Sequence, residues 1–327
     1  MPEKDYSVSQ QRRGKFSGKP AEKEVPKNEG TQENTKSALK IVDEKSRLHL
    51  IKEQNLALLM VVSYSDQIFN YLFDSENRYQ IPRDHLSGQA FNPSMRSVLV
   101  NWLADVAYHM NLYQETVQLT IYILDKFMSI DKTTTKDNAQ LIGLGALFIA
   151  AKYEETEAIT LMDLRRLCNV WTFEDLKRTE NVILRTIGYD LGKPLPIHFI
   201  RRFSERGRAS PMEHNYAKYF ADSFLLCYSY SHDKSSTIAA ASVFLALCLA
   251  EERVDSTLWT PHMATVSRHQ IVDFSHLLSS IAKIVTSCLA SRLGALHSRY
   301  ASADLHCVSL MPGCQPGRGI INHFCID

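Results

Sequence analysis

No catalytic or metal-binding signature occurs in the sequence. It contains no G-x-S-x-G, no H-E-x-x-H and no G-x-x-x-x-G-K-[ST] motif, and its 12 histidines show no metal-ligand spacing. The seven cysteines form no C-x-x-C pair, which favours reduced intracellular thiols over disulfides or zinc ligands. We therefore expect a protein that is not an enzyme and that holds neither a metal nor a cofactor.

Strong charge and long apolar runs are also missing. A formal net charge of +1 favours neither a nucleic acid nor an anionic membrane as a direct partner. The apolar run at 141–151 is too short to cross a bilayer, which needs about 20 residues. The first ten residues contain no apolar segment of the kind that signal peptides carry. We expect a protein of the nucleus and cytoplasm.

Two apolar helices of equal length form an internal repeat. Residues 139–155 (AQLIGLGALFIAAKYEE) align with residues 236–252 (STIAAASVFLALCLAEE), and each segment ends in a Glu-Glu pair. A helix that is apolar on every side belongs at the centre of a core. Lys152 is the one charged residue that does not repeat, because Leu249 takes its place. A feature present in only one of two similar halves indicates a site more than a packing requirement.

Helical periodicity and caps predict an all-α protein with two tandem domains of five helices each. A polar segment without aromatic clusters comes first and is expected to be disordered. An amphipathic helix beginning near residue 56 is expected to pack beside the first domain. The predicted segments are a disordered regulatory tail (1–45), an N-terminal helix and loop (56–93), a first domain (94–191), a second domain (194–312) and an unassigned tail (313–327).

One carboxylate falls inside an apolar stripe of the fifth predicted helix. Glu180 lies four residues after Leu176 and three before Ile183, so it needs a partner, because an unpaired buried charge costs several kcal/mol. Lys152 is the natural partner. Two interpretations remain open: an internal salt bridge, or a Lys and Glu exposed together to hold the polar backbone of another protein.

The first helix of the first domain raises a second question. Met95, Leu99 and Trp102 share a stripe with Asp105 at its edge, and Gln140 starts the repeat helix nearby. An apolar groove with an acidic rim would bind a short peptide that carries a leucine and a basic residue. The alternative is an ordinary core stripe that ends in a solvated aspartate.

Five segments resemble the cyclin family over roughly residues 64–312: MRSVLVNWLADV, LIGLGALFIAAKYEE, the Glu180 helix that ends in IGYDL, GKPLPIHFIRRFSE and RYASADLHCVS. The GKPLPIHFIRR junction resembles the B-type, mitotic branch. This resemblance implies two cyclin boxes and a non-catalytic subunit that binds and activates a mitotic cyclin-dependent kinase. The kinase-binding residues that it implies are Lys152, Glu180, Tyr189, Ile149 and Leu184.

The resemblance also implies a patch on which substrates or inhibitors dock through short peptides. Val98 and Asp105 stand where isoleucine and glutamate are commoner in the family, and Asn101 replaces the usual aspartate. The residues that match this patch are Met95, Val98, Leu99, Trp102, Asp105 and Gln140.

Near the end of the polar segment, Arg47, Leu50 and Asn55 have the spacing R-x-x-L-x-x-x-x-N. The triplet resembles a destruction box, which would make a ubiquitin ligase a further partner. Two other functions stay open. A cyclin-fold transcription factor similar to general transcription factor IIB would need a zinc-ribbon cysteine set and a basic face, and a transcriptional cyclin would lack the B-type junction.

Overall fold

The computed structural model describes residues 64–157, 159–167, 170–288, 293–314 and 323–324, and its regular elements in these ranges are all helical. No strand occurs in this part of the chain, so the all-α prediction is confirmed. The α-helices are α1 (Ser65–Ser75), α2 (Pro93–His109), α3 (Gln114–Ile130), α4 (Ala139–Glu154), α5 (Leu161–Leu167), α6 (Phe173–Ile187), α7 (Pro196–Gly207), α8 (Pro211–Leu225), α9 (Ser235–Ala250), α10 (Pro261–Ser267), α11 (Ile271–Cys288) and α12 (Ala295–Tyr300).

Helix α4 is the centre of the first domain. Its side chains from Ile142 to Ala151 are buried, and it packs against α2, α3 and α6. Gly145 permits the close approach of α6, because a Cβ at this position would lie 2.9 Å from Cδ1 of Ile183. The absence of a polar face in the sequence therefore has the expected cause: neighbouring helices cover α4 on every side.

Helix α9, the second copy of the repeat, takes the same position in the second domain. It packs against α7, α8 and α11, and its buried side chains extend from Ser235 to Leu249. Two tandem helical domains are thus confirmed, each built around one apolar helix.

The second domain contains one short helix beyond the five that the pattern predicts. Helix α10 begins after Thr260, whose side chain accepts a hydrogen bond from the backbone N–H of Met263, and Pro261 occupies its first position. A Thr-Pro step is a helix-start signal, so the sequence did carry the information.

The prediction that the N-terminal helix packs beside the first domain is wrong for the described part, α1. Phe69 and Phe73 of α1 contact the ring of Phe199 in α7, with ring centroids 6.2 and 4.9 Å apart. The guanidinium carbons of Arg202 and Arg268, both in the second domain, lie 5.0 and 4.5 Å from the centroids of these two rings. Periodicity identified the apolar face of α1 but carried no information about which domain would cover it.

A hydrogen bond ties a buried ion pair of the first domain to the second domain. Arg96 donates through Nε and Nη2 to the two carboxylate oxygens of Asp125, at 2.6 Å each, and through Nη1 to the carbonyl of Leu225 at 3.0 Å. Burial raises the pKa of Asp125, but the Arg96 guanidinium outweighs that effect and leaves the pKa below its usual value. Arg96 thereby fixes α2 against α3 and against the end of α8.

A second polar cluster at the domain junction centres on Asp222 of α8, which is fully buried. Its carboxylate accepts hydrogen bonds from Gln114 and Gln118 of α3 at 2.9 Å and from the hydroxyl of Tyr300 at 2.8 Å. Gln118 also accepts the backbone N–H of Ile197, at 3.1 Å. Burial raises the pKa of Asp222 despite these donors.

Candidate functional site

Lys152 and Glu180 form an ion pair on the surface of the first domain. Lys152 lies in the last turn of α4 and Glu180 in the middle of α6, and Nζ of Lys152 contacts Oε1 of Glu180. The ammonium also lies 4.1 Å from the ring centroid of Phe148, one turn earlier. The side chains are 41% and 15% exposed, respectively. The structure therefore pairs the two residues and leaves the Lys152 ammonium accessible and the Glu180 carboxylate partly accessible.

Local sequence signals place Glu180. Helix α6 begins with a capping box in which Thr172 and Asp175 each bind the backbone N–H of the other, as their spacing predicts. It ends at Gly188, whose φ of 74° is the left-handed conformation that glycine adopts without strain. These two caps fix the ends of α6. Gly145 of α4 sets the distance between α6 and α4.

An exposed aromatic residue follows the end of α6. Tyr189 is 61% exposed, has a φ of 60° and donates its backbone N–H to the carbonyl of Leu184 at 3.0 Å. This left-handed conformation costs about 1 to 2 kcal/mol in a residue other than glycine. The chain thus holds a large apolar ring in solvent at some energetic cost.

The other two predicted contact residues are less accessible. Leu184 is half-buried and packs against the core of the first domain. Ile149 is only 3% exposed. Its side chain supports the surface from below and offers almost no area to a partner in this conformation.

The second copy of the repeat lacks an equivalent surface. Leu249 takes the place of Lys152 and is 8% exposed. The short turn Pro312–Cys314 covers it, since a Cβ on Gly313 would lie 3.3 Å from Cδ2 of Leu249. In the second domain, the chain itself therefore covers Leu249, whereas the equivalent Lys152 of the first domain is exposed.

An apolar groove of about 480 Å³ lies between α2 and the start of α4. It brings together Met95, Val98, Leu99, Trp102 and Gln140 of the predicted docking patch. Val98 is exposed, whereas Leu99 is buried and forms the floor. The residues that line the groove are Phe91, Ser94, Met95, Val98, Leu99, Trp102, Lys136, Ala139 and Gln140.

Asp105, the sixth residue of the predicted patch, is not among the residues that line this groove. Its carboxylate is solvent-exposed, and its Oδ1 lies 3.5 Å from Nδ1 of His109, one turn later on α2. The expected acidic rim is therefore displaced from the groove toward the end of the helix.

Asn101 faces the second domain and not the groove. Its Oδ1 accepts the backbone N–H of Ala295, the first residue of α12, at 3.1 Å. On the same side of α2, Ser97 donates to the carbonyl of Leu226 at 2.6 Å. The asparagine that departs from the family pattern thus serves the domain junction.

Models of known families match both halves of the chain. The description "Cyclin, N-terminal domain" matches residues 67–192, and "Cyclin, C-terminal domain" matches residues 194–313. The chain belongs to the cyclin family.

Curated relatives support the B-type assignment. The chain is 34% identical over 255 residues to "G2/mitotic-specific cyclin-B" of Hydra vulgaris, with 77% of this chain and 69% of that protein covered. It is 31% identical over 254 residues to the protein of the same name from Patella vulgata, covering 77% of this chain and 61% of the relative. The chain thus spans less than two thirds of the Patella protein.

A solved structure shares the fold. The X-ray structure of a viral cyclin from herpesvirus saimiri aligns with a TM-score of 0.58 at 17% identity, over 70% of this chain and 99% of that one. At this identity, the likeness shows the cyclin fold alone. It agrees with the two tandem helical domains described above.

Sequence reasoning missed two residues that complete these surfaces, Phe148 and Phe91. Phe148 precedes Lys152 by four residues, so the i, i+4 rule of helix faces was a signal for it. Phe91 lies in a loop outside any helical pattern, and nothing local indicated that it lines the groove.

The remaining predictions concern other parts of the chain. The destruction-box triplet Arg47, Leu50 and Asn55 lies outside the described residues, as does the tail 1–45. Within the described ranges, no helix combines the length and the hydropathy that crossing a membrane requires, and no group of three or more His, Cys, Asp or Glu side chains is arranged to hold a metal ion.

Proposed function

We propose that this cyclin is a non-catalytic subunit that binds and activates a mitotic cyclin-dependent kinase, helps to select its substrates and so controls mitotic entry. Membership of the cyclin family and similarity to G2/mitotic-specific relatives support the regulatory class. The proposed place of action is the nucleus and cytoplasm. Regulation through a ubiquitin ligase that binds Arg47, Leu50 and Asn55 is part of the same proposal.

One observation carries the proposal: Lys152 is accessible and Glu180 partly accessible in the first domain, whereas the chain itself covers the matching Leu249 in the second. An ion pair that only stabilised the fold would not need to be accessible to a partner. The ammonium donates and the carboxylate accepts, so together they suit a partner segment whose backbone presents both carbonyl and N–H groups. Tyr189 adds exposed apolar area beside them.

Opening the ion pair for a partner costs little. Partly exposed pairs of this kind contribute about 0 to 1 kcal/mol, because solvent screens the charges and the long side chains lose entropy on pairing. The kinase loop that precedes its αC helix would exchange these contacts for its own. Binding that is stronger in the active kinase conformation then shifts the kinase toward that conformation.

The test is a pull-down with a purified mitotic cyclin-dependent kinase, followed by a kinase assay. Lys152→Ala and Glu180→Ala should each lose at least about tenfold in kinase binding, or about 1.4 kcal/mol, with matching loss of activation. Arg253→Ala is the matched control, because Arg253 pairs with Asp255 at 2.8 Å beyond the equivalent helix end of the second domain. Circular dichroism establishes that each variant is folded. Folded variants that bind the kinase as tightly as the unmodified chain would refute the proposal.

The apolar groove supports the part of the proposal that concerns substrate selection. Val98 and Trp102 stand at its surface with Leu99 beneath them, an arrangement that accepts the apolar side chains of an extended peptide. Trp102→Ala should weaken phosphorylation of a substrate with a leucine-containing docking motif, and leave phosphorylation of the same substrate without that motif unchanged.

A further inference from the structure

The Lys152 ammonium contacts an aromatic ring as well as a carboxylate. Its Nζ lies over the ring of Phe148, 4.1 Å from the centroid, and contacts Oε1 of Glu180. An ammonium over the face of an aromatic ring is attracted by the negative charge density of that face. Two groups therefore hold the same ammonium, and only the carboxylate is an ordinary hydrogen-bond acceptor.

The geometry of α4 produces the ring contact. Phe148 and Lys152 are one turn apart, and the side chains of an α-helix lean toward its N-terminus. The stem of Lys152 is therefore directed over the preceding turn, where the Phe148 ring lies. The ring is 8% exposed and belongs to the core of the first domain, whereas the Lys152 side chain is 41% exposed. A ring fixed by the core thus supports a long and accessible side chain.

The second copy of the repeat lacks both members of this contact. In the alignment of residues 139–155 with 236–252, Leu245 replaces Phe148 and Leu249 replaces Lys152. The two leucines are 0% and 8% exposed. The central helix of the second domain therefore packs at this position without an aromatic ring. The ring occurs in the copy of the repeat that also carries the lysine.

A partner would affect the two contacts of the ammonium differently. The ammonium has three donors, and in the proposed complex carbonyl groups of the kinase replace the Glu180 carboxylate as acceptors. The Phe148 ring competes for none of these acceptors, so its contact with Lys152 can persist in the complex. A cation–π contact is also stronger when water is excluded from it. Its contribution should therefore increase when a partner covers Lys152.

We propose that Phe148 is a positioning residue for kinase binding: its ring holds the Lys152 ammonium in place while the ammonium exchanges Glu180 for carbonyl groups of the kinase. The inference rests on the proposed function. It deepens that function by assigning a role to a residue that is too buried to offer the partner much area and that acts through Lys152.

Fluorination of the ring tests this role with almost no change of shape. Fluorine atoms withdraw electron density from the face of the ring and so weaken its attraction for a cation. Mono-, di- and trifluorinated phenylalanine replace Phe148 in the full chain, and a fluorescence titration measures the Kd for a purified mitotic cyclin-dependent kinase. The Kd should rise with each added fluorine and reach about two- to fivefold with the trifluorinated ring, the range of an exposed cation–π contact.

Two controls separate positioning from packing. Lys152→Met removes the ammonium, so fluorination of Phe148 in that background should leave the Kd unchanged, whereas a packing role would give the same loss in both backgrounds. The matched control is trifluorination of Phe244, a buried ring of α9 that contacts the rings of Trp259 and Phe274. It should leave the Kd unchanged. Circular dichroism and thermal melts establish that every variant is folded.

Nuclear magnetic resonance of the free chain, with isotope-labelled lysine, reports on the ring contact without the kinase. The ε-methylene protons of Lys152 should be shifted upfield by the ring current, and Phe148→Leu should remove that shift. The Lys152→Met variant identifies the signal, because the signal is missing from its spectrum.

The outcomes separate this inference from the proposed function. If the unmodified chain binds and activates the kinase but fluorination leaves the Kd unchanged, the inference alone is overturned. An equal loss in the Lys152→Met background, or a Lys152 signal without the upfield shift, would also overturn it. If the Lys152 signal is shifted but the unmodified chain does not bind the kinase, the proposed function is overturned and the inference with it.

Discussion

Removing either partner of the Arg96–Asp125 pair should destabilise the chain severely. Both side chains are almost completely buried, and the pair is bidentate, with both bonds at 2.6 Å. Asp125→Asn removes the charge but keeps the shape, so the Arg96 guanidinium would stay buried without a counterion. Breaking a buried pair from one side costs about 3 to 5 kcal/mol. At about 2 to 4 °C per kcal/mol for a protein of this size, the melting temperature should fall by roughly 6 to 20 °C.

The double variant Arg96→Met/Asp125→Leu tests whether the loss of stability comes from the unpaired buried charge. It removes both charges and replaces them with apolar groups, so no uncompensated charge remains in the core. Its loss of stability should be well below the sum of the losses in Arg96→Met and Asp125→Leu, because most of each single loss is the cost of the orphaned partner. The double variant still loses the hydrogen bond to the Leu225 carbonyl and the 3.5 Å contact between Nε2 of His85 and Oδ1 of Asp125.

Urea and thermal denaturation followed by circular dichroism measure these effects, and the pH dependence gives a second measurement. The pKa of Asp125 is lower in the folded chain than in the unfolded chain, so its contribution to stability is present above about pH 3.9 and is lost as the pH falls through the folded pKa. Asp125→Asn should lack this acid-dependent loss. Single variants that cost less than about 1 kcal/mol, or that add without coupling in the double variant, would contradict the reasoning.

Three further variants test other parts of the structure. Asp222→Asn should fold, because the Tyr300 hydroxyl can turn from donor to acceptor. Since burial raises the pKa of Asp222, its stabilising contribution is lost as the pH rises above about 3.9, and the variant should show less of this loss in thermal melts between pH 4 and 7. Gly145→Ala should cost about 1 to 3 kcal/mol by overpacking against α6, whereas Gly294→Ala, with open space around it, should be nearly neutral in the same urea titration. Tyr189→Gly should raise the melting temperature slightly or leave it unchanged, because it relieves a φ of 60°, and weaken kinase binding in the pull-down.

Local signals predicted the parts of the fold that local physics determines. The two apolar helices, the capping box at Thr172 and Asp175, and the pairing of Lys152 with Glu180 all follow from spacing along one or two helices. In each case, the residues either lie within one turn or occupy the centre of an apolar stripe. For Glu180, the position inside an apolar stripe required a partner, and Lys152 at the end of the repeat helix was the natural one.

The residues that sequence reasoning missed or misplaced depend on contacts between distant segments. Phe69 and Phe73 are equally apolar whichever domain they cover, and Asp222 is an ordinary aspartate until its donors arrive from α3 and α12. Asp105 lies on the predicted stripe, yet a displacement of one helical turn takes it out of the groove. Periodicity gives the face on which a residue lies, but it does not give the neighbour.

The two sides of helix α2 make different contacts: one side lines the groove, and the other binds the second domain. Met95, Val98 and Trp102 form one wall of the groove, while Ser97 and Asn101 bind the second domain through Leu226 and Ala295. The groove wall is therefore held in place by contacts that the first domain cannot supply alone. The proposed docking is therefore expected to depend on both domains, although all the residues that line the groove belong to the first domain or to the loop that precedes it.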